Sequence, residues 1–323
     1  MAWGAVMKTL RESVSDYLVM RRSMGYKVEG LTKLLSSFVA YSEARGVERV
    51  QKEIALEWAS SKMKVEVTDA LIARRMDAVR IFARHQHALD PTTEIPDETV
   101  CNRRYQPKAP KVFTEAQISS LVVAALSLPP QFKAKTWQTL IGLLATTGMR
   151  PGEAVRLSID DIDLNTKVIQ VLDTKFGKSR LVFLHPSTAT VLEQYLQIRA
   201  DHFGAGPGST SMVFLNSRGT ALDANRLNSV FKEVLAIAGI TNAPGRRPYR
   251  LHDLRHTFAV RTLLGWYQQG CDVQQRLPLL STWLGHVDPA STYWYLHAVP
   301  ELLSQVAELL EAQQNPSTER ATS

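Results

Sequence analysis

The chain has 323 residues, enough for about two domains of ordinary size, and its 45% hydrophobic and 21% charged content suits a globular protein with real cores. No apolar run approaches the roughly 18 residues a membrane helix needs, and the N-terminus turns polar too early for a secretory signal, so a cytoplasmic protein is expected. The net charge of +7 fits a polyanionic partner, and Cys101 and Cys271 match no metal-ligand or redox spacing.

The basic excess is +4 within residues 1–110 and +3 in the remainder, so both parts are expected to touch any polyanion. Residues 7–22, 29–45, 51–60 and 67–88 carry apolar side chains at helical spacing, with Gly25 and Gly46 as stops. They predict a compact four-helix unit over 1–88. Its last helix bears Arg74, Arg75, Arg80 and Arg84, either a solvated face or a surface laid along DNA phosphates. Residues 89–112 hold four prolines and no amphipathic period, which marks a linker. Arg103 and Arg104 make it basic, as a strap across a phosphate backbone would be.

From Thr114 the register changes. Thr114 and Gln117 form a capping box that opens a helix, and a second helix covers about 135–147. That helix ends in TTGMRPGE. Gly148 can close it in the left-handed conformation and Pro151 suits the first turn of the next, which fixes Arg150 at a helix-to-helix corner. Glu153 can bond back to the corner or to an arginine. IDLNTK, VIQVL and RLVFL then predict a small three-stranded antiparallel sheet. Lys175, Lys178 and Arg180 on its hairpin read as a mobile cationic finger. A helix from Pro186, a short extended run MVFLN and a helix over 224–238 follow. The expected fold is therefore mainly α with a small antiparallel β-sheet (α+β).

The segment from Leu251 to Tyr295 concentrates the chemistry. His252 and Arg255 are three apart, and His256 is four from His252. Spacing of four also suits a metal pair, but no HExxH pattern or acidic partner accompanies it. His256, followed by Phe258 and Val260, reads as a core histidine satisfied by a backbone carbonyl. Arg150 and Arg255 offer two planar forks that match phosphate oxygens, and cations around a phosphodiester meet the electrostatic demand of phosphoryl transfer. There is no GxxxxGK[ST] loop and no carboxylate cluster for two metals. A tyrosine can attack instead if cations and a histidine favour its phenolate. Tyr293 and Tyr295 are the two candidates.

Arg150 in TTGMRPGE, Lys175 on a hairpin, His252-Asp-Leu-Arg255-His256, Leu284-Gly285-His286 and Tyr295 nine residues on resemble the tyrosine recombinase (phage integrase, Xer/Cre-like) family. The likeness covers about 110–310. It implies that Arg150 and Arg255 clamp the scissile phosphate, and that His252 and His286 bond its oxygens and assist proton movement. Lys175 would protonate the 5′-hydroxyl leaving group, and Tyr295 would attack to give a 3′-phosphotyrosine link. Glu153 would orient the site, with Tyr293 and Lys178 as rivals or DNA contacts. No cofactor or metal is implied.

The domains implied are a helical core-binding (SAM-like) unit over 1–88, a linker over 89–112, a catalytic domain over 113–313 and a disordered tail over 314–323. The partners are double-stranded DNA sites and further copies in a tetrameric synapse. The apolar stripe of 299–313 either packs on its own domain or docks on a neighbouring subunit. Alternatives are a type IB topoisomerase-like nicking and closing enzyme and a non-catalytic DNA-binding protein; a metal-dependent hydrolase lacks the acids.

Overall fold

The computed structural model describes residues 8–26, 28–61, 67–97, 110–172, 179–204, 210–242, 247–286 and 288–298. Two compact units divide the chain, residues 1–106 and 107–323. The first consists of α1 (Leu10–Ser23), α2 (Glu29–Glu43), α3 (Lys52–Ser60) and α4 (Asp69–Leu89). A capping box opens α1, in which Thr9 accepts from the Glu12 amide and the Glu12 carboxylate accepts from the Thr9 amide at 2.8 Å. Inward faces of the four helices meet around Trp58, whose ring lies edge-on to Phe38 at 5.4 Å, with Leu35, Met76, Val79 and Phe82 beside them.

Two arginines of α4 belong to this interior, which departs from both expected readings of them, a solvated face and a surface along DNA phosphates. Arg75 donates to the carbonyls of Trp58, Ala59 and Ser61 at 2.9–3.3 Å, and so finishes the C-terminus of α3. Arg80 donates to the carbonyls of Pro96 and Asp97 and pairs with Asp77. Both are under a tenth exposed. Arg74 and Arg84 remain on the outer side. Arg103 and Arg104 lie outside the described residues.

The second unit opens with the capping box of Thr114 and Gln117 on α5 (Glu115–Ala125). It continues through α6 (Gln131–Thr147) and the single turn α7 (Pro151–Ala154). The sheet is antiparallel in the order β1 (Ile162–Asp163), β2 (Val168–Val171), β3 (Arg180–Phe183), with Ile169 opposite Val182. Only two residues of IDLNTK pair. The Asp163 carboxylate accepts from the Asn165 and Thr166 amides and turns the chain at once, with Lys167 at φ 56°. Then come α8 (Pro186–Phe203), α9 (Leu227–Ile237), α10 (Asp253–Gln268), α11 (Val273–Leu284) and α12 (Ala290–Ala298).

Around α6 the largest core gathers Trp137, Leu140, Ile141, Leu144, Tyr195, Phe214 and Phe231. A smaller core of Ala259, Val260, Leu263, Leu277, Leu280 and Leu284 packs α10 on α11 and takes in Tyr295 of α12. Among the described residues no helix is long and apolar enough to cross a membrane.

Candidate active site

Two helix ends form the floor of the site. α6 stops at Gly148 (φ 65°) and α11 at Gly285 (φ 66°), both in the left-handed conformation that glycine takes without a Cβ penalty. The last carbonyls of a helix lack intrahelical donors and carry the negative end of its dipole. Cations cover them here. Arg255 donates Nη1 to Gly148 O at 2.9 Å and Nη2 to Leu284 O at 2.6 Å. Arg150 donates Nη2 to Gly285 O at 2.8 Å, and Arg180 donates Nε to Trp283 O at 2.8 Å. The Trp283 indole N–H closes the set on Thr147 O at 2.8 Å. The helix ends thus position three guanidiniums drawn from α10, the α6–α7 corner and β3.

Glu153 ties two of them together. Its buried carboxylate accepts from the Arg150 amide at 3.0 Å, from Arg150 Nη1 at 2.7 Å and from Arg180 Nη2 at 2.7 Å. Burial pushes this carboxyl up, but the bonds and charge of Arg180, followed by those of Arg150, outweigh it and hold it at about 2. Arg180 is therefore a buried strut and no part of a mobile finger. It shares the inward face of β3 with Val182, and that period-two alternation was the signal for it in the sequence. Burial and the nearby Arg150 lower the Arg255 guanidinium to about 9, which still leaves it charged at neutral pH.

At the start of α10 a second ion pair locks the histidine segment. The Asp253 carboxylate, 1% exposed, accepts from Arg247 at 2.8 and 2.6 Å and from the Arg250 amide at 2.8 Å. His252 precedes the first helical residue, with its ring edge-on to that of His256 at 4.9 Å. Burial of the ring, then repulsion against a second proton on His256 and the charge of Arg255, lower His252 to about 4, although the residue as a whole keeps an exposed side. His286 follows Gly285, and its Nδ1 lies 2.7 Å from Thr292 Oγ1. Burial, then Arg255, lowers it to about 3.

The two tyrosines of α12 part as the helical period requires. Tyr293 is 43% exposed, whereas Tyr295 is 2% exposed within the α10–α11 core. The Tyr295 ring stacks parallel to that of His286 with centroids 6.5 Å apart, and its hydroxyl lies 2.8 Å from His256 Nδ1. His256 is therefore no core histidine bonded to a backbone carbonyl. The apolar neighbours Phe258 and Val260 misled on that point; the spacing of four from His252 already placed the two rings together. Burial raises the Tyr295 phenol to about 12, against the pull of Arg255 and Arg150.

The structure thus brings together Arg150, Glu153, His252, Arg255, His286 and Tyr295 from four separate stretches. Lys175, Lys178 and the segment 299–313 lie outside the described residues. Among the described residues no group of three or more His, Cys, Asp or Glu is placed to hold a metal ion.

A family model described as the phage integrase family matches residues 111–301. A Sinorhizobium fredii protein named putative integrase/recombinase y4rB is 37% identical over 94% of this chain and 98% of its own length. Tyrosine recombinase XerD of Mycobacterium leprae is 28% identical over 94% of this chain and 96% of its own. Among solved structures, the Tn1549 transposon integrase in complex with transposon right end DNA superposes with a TM-score of 0.66. It shares 18% identity and covers 94% of this chain and 100% of that one. A lambda integrase tetramer bound to a Holliday junction gives 0.62 at 16% identity, over 90% and 78% of the two chains.

Proposed function

Because the chain belongs to the phage integrase family, the tyrosine recombinases, we propose that it cuts and rejoins DNA at specific sites through a 3′-phosphotyrosine link, in the integration, excision or transposition of a mobile element. One observation carries this reading. Tyr295 is the tyrosine of α12 that turns inward, onto the two helix ends where Arg150 and Arg255 are anchored.

In the proposed reaction Arg150 and Arg255 bind the non-bridging oxygens of the scissile phosphate. Two of the five N–H donors of the Arg255 guanidinium hold helix-end carbonyls, and the others serve the anion. His252 and His286 bond the same oxygens. Glu153 keeps Arg150 in place. Tyr295 Oη attacks phosphorus in line, the P–O5′ bond breaks, and Lys175 supplies the proton to the leaving 5′-oxygen. Arg255 and Tyr295 are both 2% exposed, so the phosphodiester reaches them only as the site opens.

The helical unit that ends with α4 serves as a core-binding domain that contacts duplex DNA, with Arg74 and Arg84 toward the backbone. Arg103, Arg104 and Lys178 add phosphate contacts. A tetrameric synapse with exchange of the 299–313 segment is the assembly that goes with this chemistry, and the DNA complexes of the structural neighbours support the DNA half of that reading.

The test is a nicked suicide duplex built on the sequence that the protein protects in a footprint of genomic DNA. The wild-type chain is expected to trap a covalent adduct on it. Tyr295→Phe is expected to abolish the adduct while Tyr293→Phe keeps it; the reverse pattern overturns the assignment.

A further inference from the structure

Three imidazoles stand around Tyr295, and the reading above uses only two of them. Of the three, His256 is the one with a ring nitrogen at hydrogen-bond distance from the hydroxyl, at 2.8 Å. His286 presents a parallel ring face to Tyr295 and directs Nδ1 to Thr292. His252 packs against the His256 ring. We infer that His256 is the proton acceptor for the Tyr295 hydroxyl as the phosphotyrosyl bond forms. This inference rests on Tyr295 being the nucleophile.

The surroundings fix both partners. On its own helix His256 is flanked by His252, Asp253 and Arg255. Arg247, from the segment before α10, holds Asp253, and from α12 Trp294 lies edge-on to the His256 ring at 5.8 Å. Tyr295 donates to Nδ1 when His256 carries its own ring proton on Nε2. Burial keeps His256 down at about 4; Asp253 pulls it up, while Arg247 and Arg255 oppose that. The imidazole is therefore neutral at physiological pH and has a lone pair to offer.

The distance between about 12 for Tyr295 and about 4 for His256 means that no free phenolate waits in the resting site. The proton moves with bond formation, as in general base catalysis. In the forward step the Oη–H bond breaks, the proton goes to His256 Nδ1 and the Oη–P bond forms. The P–O5′ bond breaks with its electron pair on O5′, which takes a proton from Lys175. In the rejoining step the 5′-hydroxyl gives its proton back to Lys175 as the P–O5′ bond forms, the Oη–P bond breaks and the imidazolium returns its proton to Tyr295 Oη, so His256 ends neutral and ready for a second cycle.

The test compares wild type, His256→Ala and His256→Asn in the rate of adduct formation on the suicide duplex described above, from pH 6 to pH 9. Equal footprints show that the variants fold. Asn can place an amide oxygen where Nδ1 stands, and so keeps an acceptor but no base. Both variants are expected to be about 100-fold slower at pH 7, the low end of the range for a lost general base. Their rates are expected to rise about tenfold per pH unit as hydroxide takes over, against a nearly flat wild-type profile. Recovery of the wild-type rate by His256→Asn makes the residue a positioning group and overturns the inference, as does a rate in either variant equal to or above wild type. Persistence of the adduct in Tyr295→Phe is a different failure, since it removes the nucleophile itself.

Discussion

Glu153→Gln probes the frame of the site most directly. The carboxylate is about 3% exposed at its side chain and binds two guanidiniums and a backbone amide. Gln keeps the shape but removes the charge, and it turns an amide N–H₂ toward at least one arginine. Breaking a buried ion pair by removing one partner costs about 3–5 kcal/mol. The carboxyl is held at about 2 against an ordinary 4.5, which by linkage corresponds to about 3 kcal/mol of stability at neutral pH.

This contribution is complete above about 4.5 and fades as pH falls through about 2. The assay is urea unfolding followed by tryptophan fluorescence, since Trp283 sits on the Arg180 end of the network. At pH 7 the variant is expected to lose about 3 kcal/mol, which is roughly 6–12 °C in Tm for a unit of this size. The difference from wild type should shrink steadily below pH 4.5. A loss under about 1 kcal/mol, or a difference that stays constant from pH 7 to pH 3, refutes the reasoning.

Gly148→Ala is expected to cost about 2–4 kcal/mol, from the left-handed backbone and a Cβ placed 2.4 Å from the Phe258 ring, and to lower adduct formation by moving the Arg255 anchor; unchanged thermal stability refutes it. His256 and His286 are held neutral in the fold, with values near 4 and 3, whereas the unfolded chain binds both protons below about 6.5. These two groups should therefore make stability fall as pH drops from about 6.5 toward 4, together contributing a slope of at most about 2.7 kcal/mol per pH unit, and denaturant midpoints that do not change between pH 7 and pH 5 contradict this. Arg75→Met should lower stability and leave the salt dependence of DNA binding unchanged, while Arg74→Ala should lower the log–log salt slope by about one. Equal salt slopes in Arg74→Ala and wild type remove Arg74 from the backbone contacts.

Local rules made much of this architecture legible. Thr114 and Gln117 announced a helix start, Gly148 and Pro151 announced the corner that holds Arg150, and alternation announced the sheet. These features depend on a few neighbouring residues. The destinations of individual arginines do not. Arg75, Arg80 and Arg180 read as exposed cations, but each found carbonyls that only tertiary packing brings within reach, at the end of α3, near Pro96 and at the end of α11. The role of His256 is hidden in the sequence for the same reason, because its partner lies 39 residues away on another helix.

The charge balance of the helix-end floor bears on the rate of the reaction. Among the described groups there, three guanidiniums face one carboxylate, the histidines are neutral, and carbonyl dipoles rather than anions hold the surplus cations. The surplus is two positive charges. A phosphodiester carries one negative charge, but the five-coordinate species formed when a tyrosyl oxygen that has lost its proton adds to phosphorus carries two. In the proposed reaction the floor's own surplus is matched only by that fleeting species, with the departed proton held beside it on His256, so substrate DNA is held with attraction left over and the barrier is lowered by the remainder.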